Sequence, residues 1–214
     1  IVVDPDVDRL AFVSENGEVF GEEYTLVACA DYFLRNKRGV TVSNLSSSRA
    51  LKDITESYGC KYFSSAVGEV NVVEKMKATN AIIGGEGNGG IIYPELHYGR
   101  DALVGIALFL TQLAERKISA KQLRESYPNY FISKNKIQLT SEINIDDILK
   151  NLEEKYKDEH ITTIDGLKID FEDGWVHLRK SNTEPIIRIY AESENKQKAN
   201  CFAEEMINEI KNLI

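Results

Sequence analysis

Cysteine is scarce in this 214-residue sequence: Cys29, Cys60 and Cys201 are odd in number, widely spaced and form no CxxC pair. That spacing excludes a disulfide framework and a cysteine-built zinc site, and it fits free buried thiols in a reducing cytoplasm, the expected location. Long apolar runs are also missing. The longest, Ala102 to Leu110, falls far short of the roughly 20 residues needed to cross a bilayer, so no membrane partner is expected. Positive charge is in deficit: the net charge of -8 argues against nucleic acid as a partner, which requires a basic face. An anionic ligand would have to be held by a local cluster of cations. No basic segment leading into an apolar core opens the chain, so no signal peptide is expected. Repeats and low-complexity tracts are absent. What is present, 43% hydrophobic and 28% charged residues, is an ordinary globular composition, enough for one large or two modest domains.

The first two-thirds alternates strand and helix signals. Glu22 to Arg35 has helical periodicity and stops at Lys37-Arg38-Gly39, and Val40 to Val42 is a β-branched strand. Ser47 or Ser48 can cap a helix through Leu51, Ile54 and Tyr58 that closes at Gly59. Lys61 to Ser64 reads as a strand, Glu69 to Lys77 as a helix, and Ala81 to Ile83 as a strand running into glycines. Asp101 then caps Ala102 to Glu115, a helix apolar on nearly every face and so expected to be central. This alternation implies an α/β domain with a mixed, mostly parallel sheet and helices on both faces. A linker is expected at Tyr127-Pro128-Asn129. Beyond it come strands at Lys136–Thr140, Ile161–Ile164, Leu167–Phe171, Trp175–Arg179 and Ile186–Ala191, with helices over Ile145–Tyr156 and Asn195–Ile214. The Asp165-Gly166 and Asp173-Gly174 turns are hairpin signals, so this part reads as a smaller α+β domain with an antiparallel sheet.

Three loops carry the chemistry. Asp4-Pro5-Asp6-Val7-Asp8-Arg9 places carboxylates at alternate positions behind Ile1-Val2-Val3, which reads as a buried strand. Neighbouring anions repel and need a cation, and hard oxygen donors from one short loop suit Mg2+ or Ca2+. An EF-hand is excluded, because the glycine required at its sixth position is Arg9 and no helix precedes the loop. Gly85, Gly87 and Gly90 satisfy GxGxxG, yet Ile91-Ile92-Tyr93-Pro94 follows and Pro94 blocks the helix a dinucleotide site requires. Glu86 and Asn88 are instead a carboxylate and an amide suited to sugar hydroxyls, on a ribbon that permits close approach. Finally, Arg179-Lys180-Ser181-Asn182-Thr183-Glu184-Pro185 and Arg188 crowd hydroxyls, an amide and two guanidiniums between two strands. That donor density suits a phosphate dianion.

In this order, the three loops resemble the α-D-phosphohexomutase family, which includes phosphoglucomutases, phosphomannomutases and phosphoglucosamine mutases. The family's D-x-D-x-D-R metal loop is similar to Asp4, Asp6, Asp8 and Arg9. Its G-E-x-S/N-G sugar loop matches Gly85, Glu86, Asn88 and Gly89. Its R-x-S-N/G-T-E-P-x-x-R phosphate loop matches Arg179, Ser181, Asn182, Thr183, Glu184, Pro185 and Arg188. Many bacterial members place histidine where this chain has Gly90 and serine where it has Asn88, so histidine contacts to substrate do not carry over. The resemblance divides the chain into the end of domain two (1–21, metal loop), domain three (22–127, sugar loop) and domain four (128–214, phosphate loop).

What the resemblance implies is an intramolecular phosphotransferase that moves a phosphoryl group between the 1- and 6-positions of a hexose phosphate. It works through a phosphoserine and a bisphosphate intermediate. Mg2+ would be held by Asp4, Asp6 and Asp8, and Arg9 would lie by the phosphoserine. Glu86 and Asn88 would hold hydroxyls, while Arg179, Ser181, Asn182, Thr183 and Arg188 grip the distal phosphate. The T-A-S-H-N-P type serine loop of domain one does not occur here. The chain is therefore expected to be an inactive fragment whose partners are hexose mono- and bisphosphates and the missing N-terminal domains. The alternative is a non-catalytic sugar-phosphate-binding module. His97, Arg100 and Asp101 could face the cleft near the sugar loop; Asp101 is better read as a helix cap and His97 as a packed or surface residue, and no role is assigned to Arg100.

Overall fold

In the computed structural model, residues 1–138, 144–181 and 184–213 are described. The chain divides into two compact units, Ile1–Asn129 and Tyr130–Ile214. The first begins with β1 (Val2–Val3) paired antiparallel to β2 (Leu10–Ala11), the acidic loop lying between them. Then come α1 (Glu22–Asn36), β3 (Thr41–Asn44), α2 (Ala50–Ser57), β4 (Tyr62–Ser65), α3 (Glu69–Thr79), β5 (Ile83–Glu86), β6 (Gly90–Ile92), α4 (Ala102–Arg116) and α5 (Ala120–Glu125). The sheet order is β4-β3-β5-β6; β3 runs parallel to both β4 and β5, whereas β5 and β6 form an antiparallel hairpin. Successive glycines of β5 show that helices cover both faces. A Cβ on Gly84 would meet Met76 of α3, and one on Gly85 would approach Leu26 of α1, because neighbouring strand residues point oppositely.

The segment after the acidic loop is anchored by aromatics. Phe12 stacks on Phe109 of α4 with ring centroids 3.8 Å apart, and Phe20 meets the same ring edge-on at 4.9 Å. Four expectations need correcting here. Ile1, Val2 and Val3 are exposed rather than buried, since β1 pairs only with the two-residue β2. Helix α4 is not central: it presents Leu103 and Leu110 to solvent and buries Ala102, Gly105, Phe109 and Gln112. The N-cap of α2 is Arg49 by backbone geometry, although Ser48 Oγ still accepts the Ala50 N–H. Only one thiol is fully enclosed, Cys29, which burial pushes up to about 12, while Cys201 is exposed.

The second unit contains β7 (Phe131–Gln138), α6 (Ile145–Lys155), β8 (His160–Thr162), β9 (Leu167–Phe171), β10 (Gly174–Lys180), β11 (Ile186–Ser193) and α7 (Lys196–Asn212). Its antiparallel sheet has the order β7-β11-β10-β9-β8. Val176, Leu178, Ile187, Ile189 and Ala191 pack with Ile148 and Leu152 of α6 and Ala203, Met206 and Ile210 of α7. Strand β7 begins five residues before the expected Lys136, because it pairs with β11 along its whole length. Residues Leu139 and Thr140 of the expected strand lie outside the described residues.

Candidate functional site

The acidic loop is a turn built around Asp4. Its Oδ1 accepts the backbone N–H groups of Asp8 and Arg9, both at 3.2 Å, and its Oδ2 accepts Arg9 Nε at 2.8 Å. Burial works to raise the Asp4 carboxyl, but the donors from Arg9 and Asp8 outweigh it and hold it below the usual range. The hydrogen bond to Asp4 correspondingly raises Arg9. Val7 sits in the left-handed region at φ 56°, a costly conformation for a β-branched residue and one that concentrates at functional sites. Asp6 is exposed. The repulsion among the three carboxylates is thus offset by arginines, Arg9 on Asp4 and Arg100 on Asp8 Oδ2. Among the described residues, no three His, Cys, Asp or Glu side chains converge as an ion site. The donors still fit a hard cation in kind, and Asp8 Oδ1 is a buried oxygen with no hydrogen-bond partner.

The glycine ribbon forms the β5–β6 hairpin: the strand expected over Ala81 to Ile83 instead runs Ile83–Glu86 through the glycines, and no helix opens at Gly90, as Pro94 implied. Glu86, at the end of β5, is 7% exposed. Its Oε1 accepts Asn44 Nδ2 at 2.9 Å and the Gly68 N–H at 3.1 Å, leaving Oε2 toward Asn88 Nδ2 and Arg100 Nη1, each 3.5 Å away. Asn88 Oδ1 accepts the Gly90 N–H at 3.1 Å. Gly89 has φ 81°, and a side chain there would collide with the Leu10 carbonyl, whose own N–H donates to Gly89 O at 3.2 Å. That contact seats the hairpin beside the acidic loop. The structure therefore brings Asp8 and Glu86 to one guanidinium, that of Arg100.

Sequence reasoning missed Asn44, Gly68 and the part played by Arg100. A readable signal for Asn44 existed: it ends a parallel strand and leads into Leu45-Ser46-Ser47-Ser48, and ligands of α/β sheets gather at such carboxyl ends. Asp101 caps α4 by accepting the Val104 N–H at 3.0 Å. His97 serves the same corner: Nδ1 accepts the Gly99 N–H, and Nε2 faces Asp101 Oδ2 at 3.0 Å.

In the second unit, Arg179 on β10 and Arg188 on β11 are directly opposed in the antiparallel register. Like charges so placed are destabilising unless an anion lies between them. Their acidic neighbours are distant, Asp165 at 4.0 Å from Arg179 and Glu184 at 3.9 Å from Arg188. Ser181 is buried and its N–H donates to Ile186 O at 3.0 Å. Asn182 and Thr183 lie outside the described residues.

Comparison with known proteins gives this arrangement a family. Residues 21–130 match the model of "phosphoglucomutase/phosphomannomutase, alpha/beta/alpha domain III" and residues 136–209 that of the "C-terminal domain" of the same family. The chain belongs to the phosphoglucomutase/phosphomannomutase family. A phosphoglucomutase/phosphomannomutase of Thermococcus kodakarensis is 36% identical, covering 95% of this chain and 45% of its own length. A phosphoglucosamine/phosphogalactosamine mutase of Sulfurisphaera tokodaii is 33% identical, covering 99% and 47%. The crystal structure of a family protein from Burkholderia thailandensis superposes with a TM-score of 0.83 at 23% identity, over 99% of this chain and 46% of that one. The chain thus spans about half the length of the relatives it matches and corresponds to domains III and IV of the family.

Proposed function

We propose that this chain is the C-terminal half of a phosphohexomutase, which shifts a phosphoryl group between the 1- and 6-positions of a hexose phosphate. The observation that carries this reading is the meeting of acidic loop and glycine hairpin at Arg100, within a chain of this family. Glu86 Oε2 accepts a sugar hydroxyl, its orientation fixed because Oε1 is already saturated by Asn44 and Gly68. Asn88 adds an amide that can serve a hydroxyl in either substrate orientation. Arg179 and Arg188, with Ser181, Asn182 and Thr183, grip the phosphate that is not being transferred, so that remote binding energy positions the sugar. Arg9 lies by the phosphoserine, which another part of the polypeptide contributes together with the remaining domains. Asp4, Asp6 and Asp8 would hold Mg2+, which supplies neutralisation of charge on the transferred group when bound. Reaction proceeds through a hexose bisphosphate that reorients between the two transfers.

The test is a phosphate-transfer assay of the longer polypeptide with glucose, mannose and glucosamine 1- and 6-phosphates, beside calorimetry of the chain alone. The longer polypeptide should interconvert at least one pair, whereas the chain alone should bind weakly and turn nothing over. Binding without turnover by the longer polypeptide would instead establish a sugar-phosphate-binding module. Neither binding nor turnover would end both readings.

A further inference from the structure

We propose that Arg100 is a positioning residue that holds the sugar-binding carboxylate Glu86 and the metal-loop carboxylate Asp8 as one unit; this rests on the roles proposed above for those two residues. Three carboxylates surround its guanidinium. Nη2 pairs with Asp8 Oδ2, Nε lies 3.2 Å from Glu69 Oε2, and Nη1 lies 3.5 Å from Glu86 Oε2. The backbone is fixed as tightly as the side chain: the Arg100 N–H donates to Glu69 Oε1 at 3.1 Å, and Arg100 bridges to Ile92 of β6. The oxygens used are informative. On Asp8, Arg100 takes Oδ2, while the buried Oδ1 makes no hydrogen bond and has Arg9 Nε 3.6 Å away. On Glu86, it approaches Oε2, the oxygen that Asn44 and Gly68 do not saturate. One planar fork thereby orients the Asp8 and Glu86 carboxylates together, a task the point charge of lysine cannot perform.

Gly90 makes this placement possible. A Cβ at position 90 would stand 2.5 Å from Arg100 Cδ and 3.0 Å from Cγ, so the stem of the arginine fills the space a side chain there would take. The arginine that fills this space arrives from ten residues away. Gly90 is not among the glycines with positive φ, so alanine is compatible with its backbone and would act chiefly by displacing the Arg100 stem, Asn88 Oδ1 being the next atom at 3.1 Å.

The experiment uses the longer polypeptide with Arg100→Ala, Arg100→Lys, Gly90→Ala and the double variant, all compared by thermal melting. Orienting residues behind a metal ligand typically contribute 10–100-fold in affinity. Arg100→Ala should therefore weaken Mg2+ binding, measured by calorimetry without sugar, and raise KM for the hexose phosphate, each by roughly tenfold or more, with kcat changed less than about threefold. Arg100→Lys should rescue neither. Gly90→Ala should reproduce both effects in the wild-type background and add less than about twofold when residue 100 is already alanine, the mark of two residues acting through one contact. If Arg100→Ala does not fold, Arg100→Lys and Gly90→Ala decide. Unchanged Mg2+ affinity and KM in the folded variants, or equal cost of Gly90→Ala in both backgrounds, would overturn the proposal. Glu86→Gln separates the two layers. If it raises KM while the Arg100 variants do not, only the coupling is wrong; if it leaves KM unchanged, the sugar-binding role of Glu86 is wrong.

Discussion

The two units hold charge in place by opposite means. In the first unit, charge is cross-braced. Glu86 and Asp8 are anions tied to Arg100, and Asp4 is tied to Arg9. In the second unit, strand register alone sets two guanidiniums opposite each other, and their acidic partners among the described residues stand about 4 Å off. Asp4, Asp8 and Glu86 each have an arginine partner before any ligand arrives, so a ligand must compete with internal partners. The register-built half has its two guanidiniums bridged only at about 4 Å, so an incoming dianion meets weaker internal competition.

This contrast can be broken most severely at a glycine. Gly89→Ala combines a φ of 81° with a collision against the Leu10 carbonyl. It should destabilise the first unit by about 3–5 kcal/mol, strain and overpacking acting together. Gly17→Ala is the control, since Gly17 has φ 83° but nothing within 4 Å, and should cost about 1 kcal/mol. Urea denaturation measures both, and equal costs would show that the hairpin is not seated on the acidic loop.

The next effect belongs to the second unit. Burial lowers His177 to about 4, below its unfolded value, so the unfolded chain takes up the proton first. Stability should be complete above about pH 6.5 and fall by up to about 3 kcal/mol as pH drops toward 4. His177→Asn should flatten that profile in denaturation curves at pH 7.5 and 4.5, although acids elsewhere will leave a shallower slope.

Arg188→Ala sharpens the comparison directly. Losing a charge-assisted phosphate contact should cost about 1.5–3 kcal/mol of hexose-phosphate affinity, while thermal stability holds or rises because Arg179 loses a like-charged neighbour. Unaltered turnover and binding in the longer polypeptide would remove this loop from the site. The smallest expected change is Asp101→Ala, loss of an N-cap worth about 1 kcal/mol. Asp101→Asn should retain most of that stability, since asparagine can also accept the Val104 N–H.

The difference between the halves also explains what was legible in the sequence. Arg179, Ser181 and Arg188 fall within one hairpin, and a hairpin is local, so the alternation of Trp175 to Ile189 was enough to place them. Asp4, Asp6 and Asp8 were legible as a loop for the same reason. Arg100 was not, because its meaning arises only when residue 8, the start of α3 and the β5–β6 hairpin meet. Likewise Asn44 and Glu86 are 42 positions apart, and no local pattern joins them. Helix α5 was missed although Ser119 and Gln122 form a capping box, because six residues are too few to show a 3.6-residue period. Misjudging Ile1 to Val3 and α4 had another cause: apolar content reports what a segment tolerates, whereas burial depends on which neighbours surround it.

The β10–β11 pairing sets a rule for how this gene can change. Val176, Leu178, Ile187 and Ile189 occupy the core-facing positions and Arg179 and Arg188 the alternate ones, so a single-codon insertion or deletion inside either strand would turn one guanidinium into the core and move an isoleucine or leucine to the opposite face. Length variation among descendants should accordingly be confined to the connection between Lys180 and Ile186 or to the turn around Asp173.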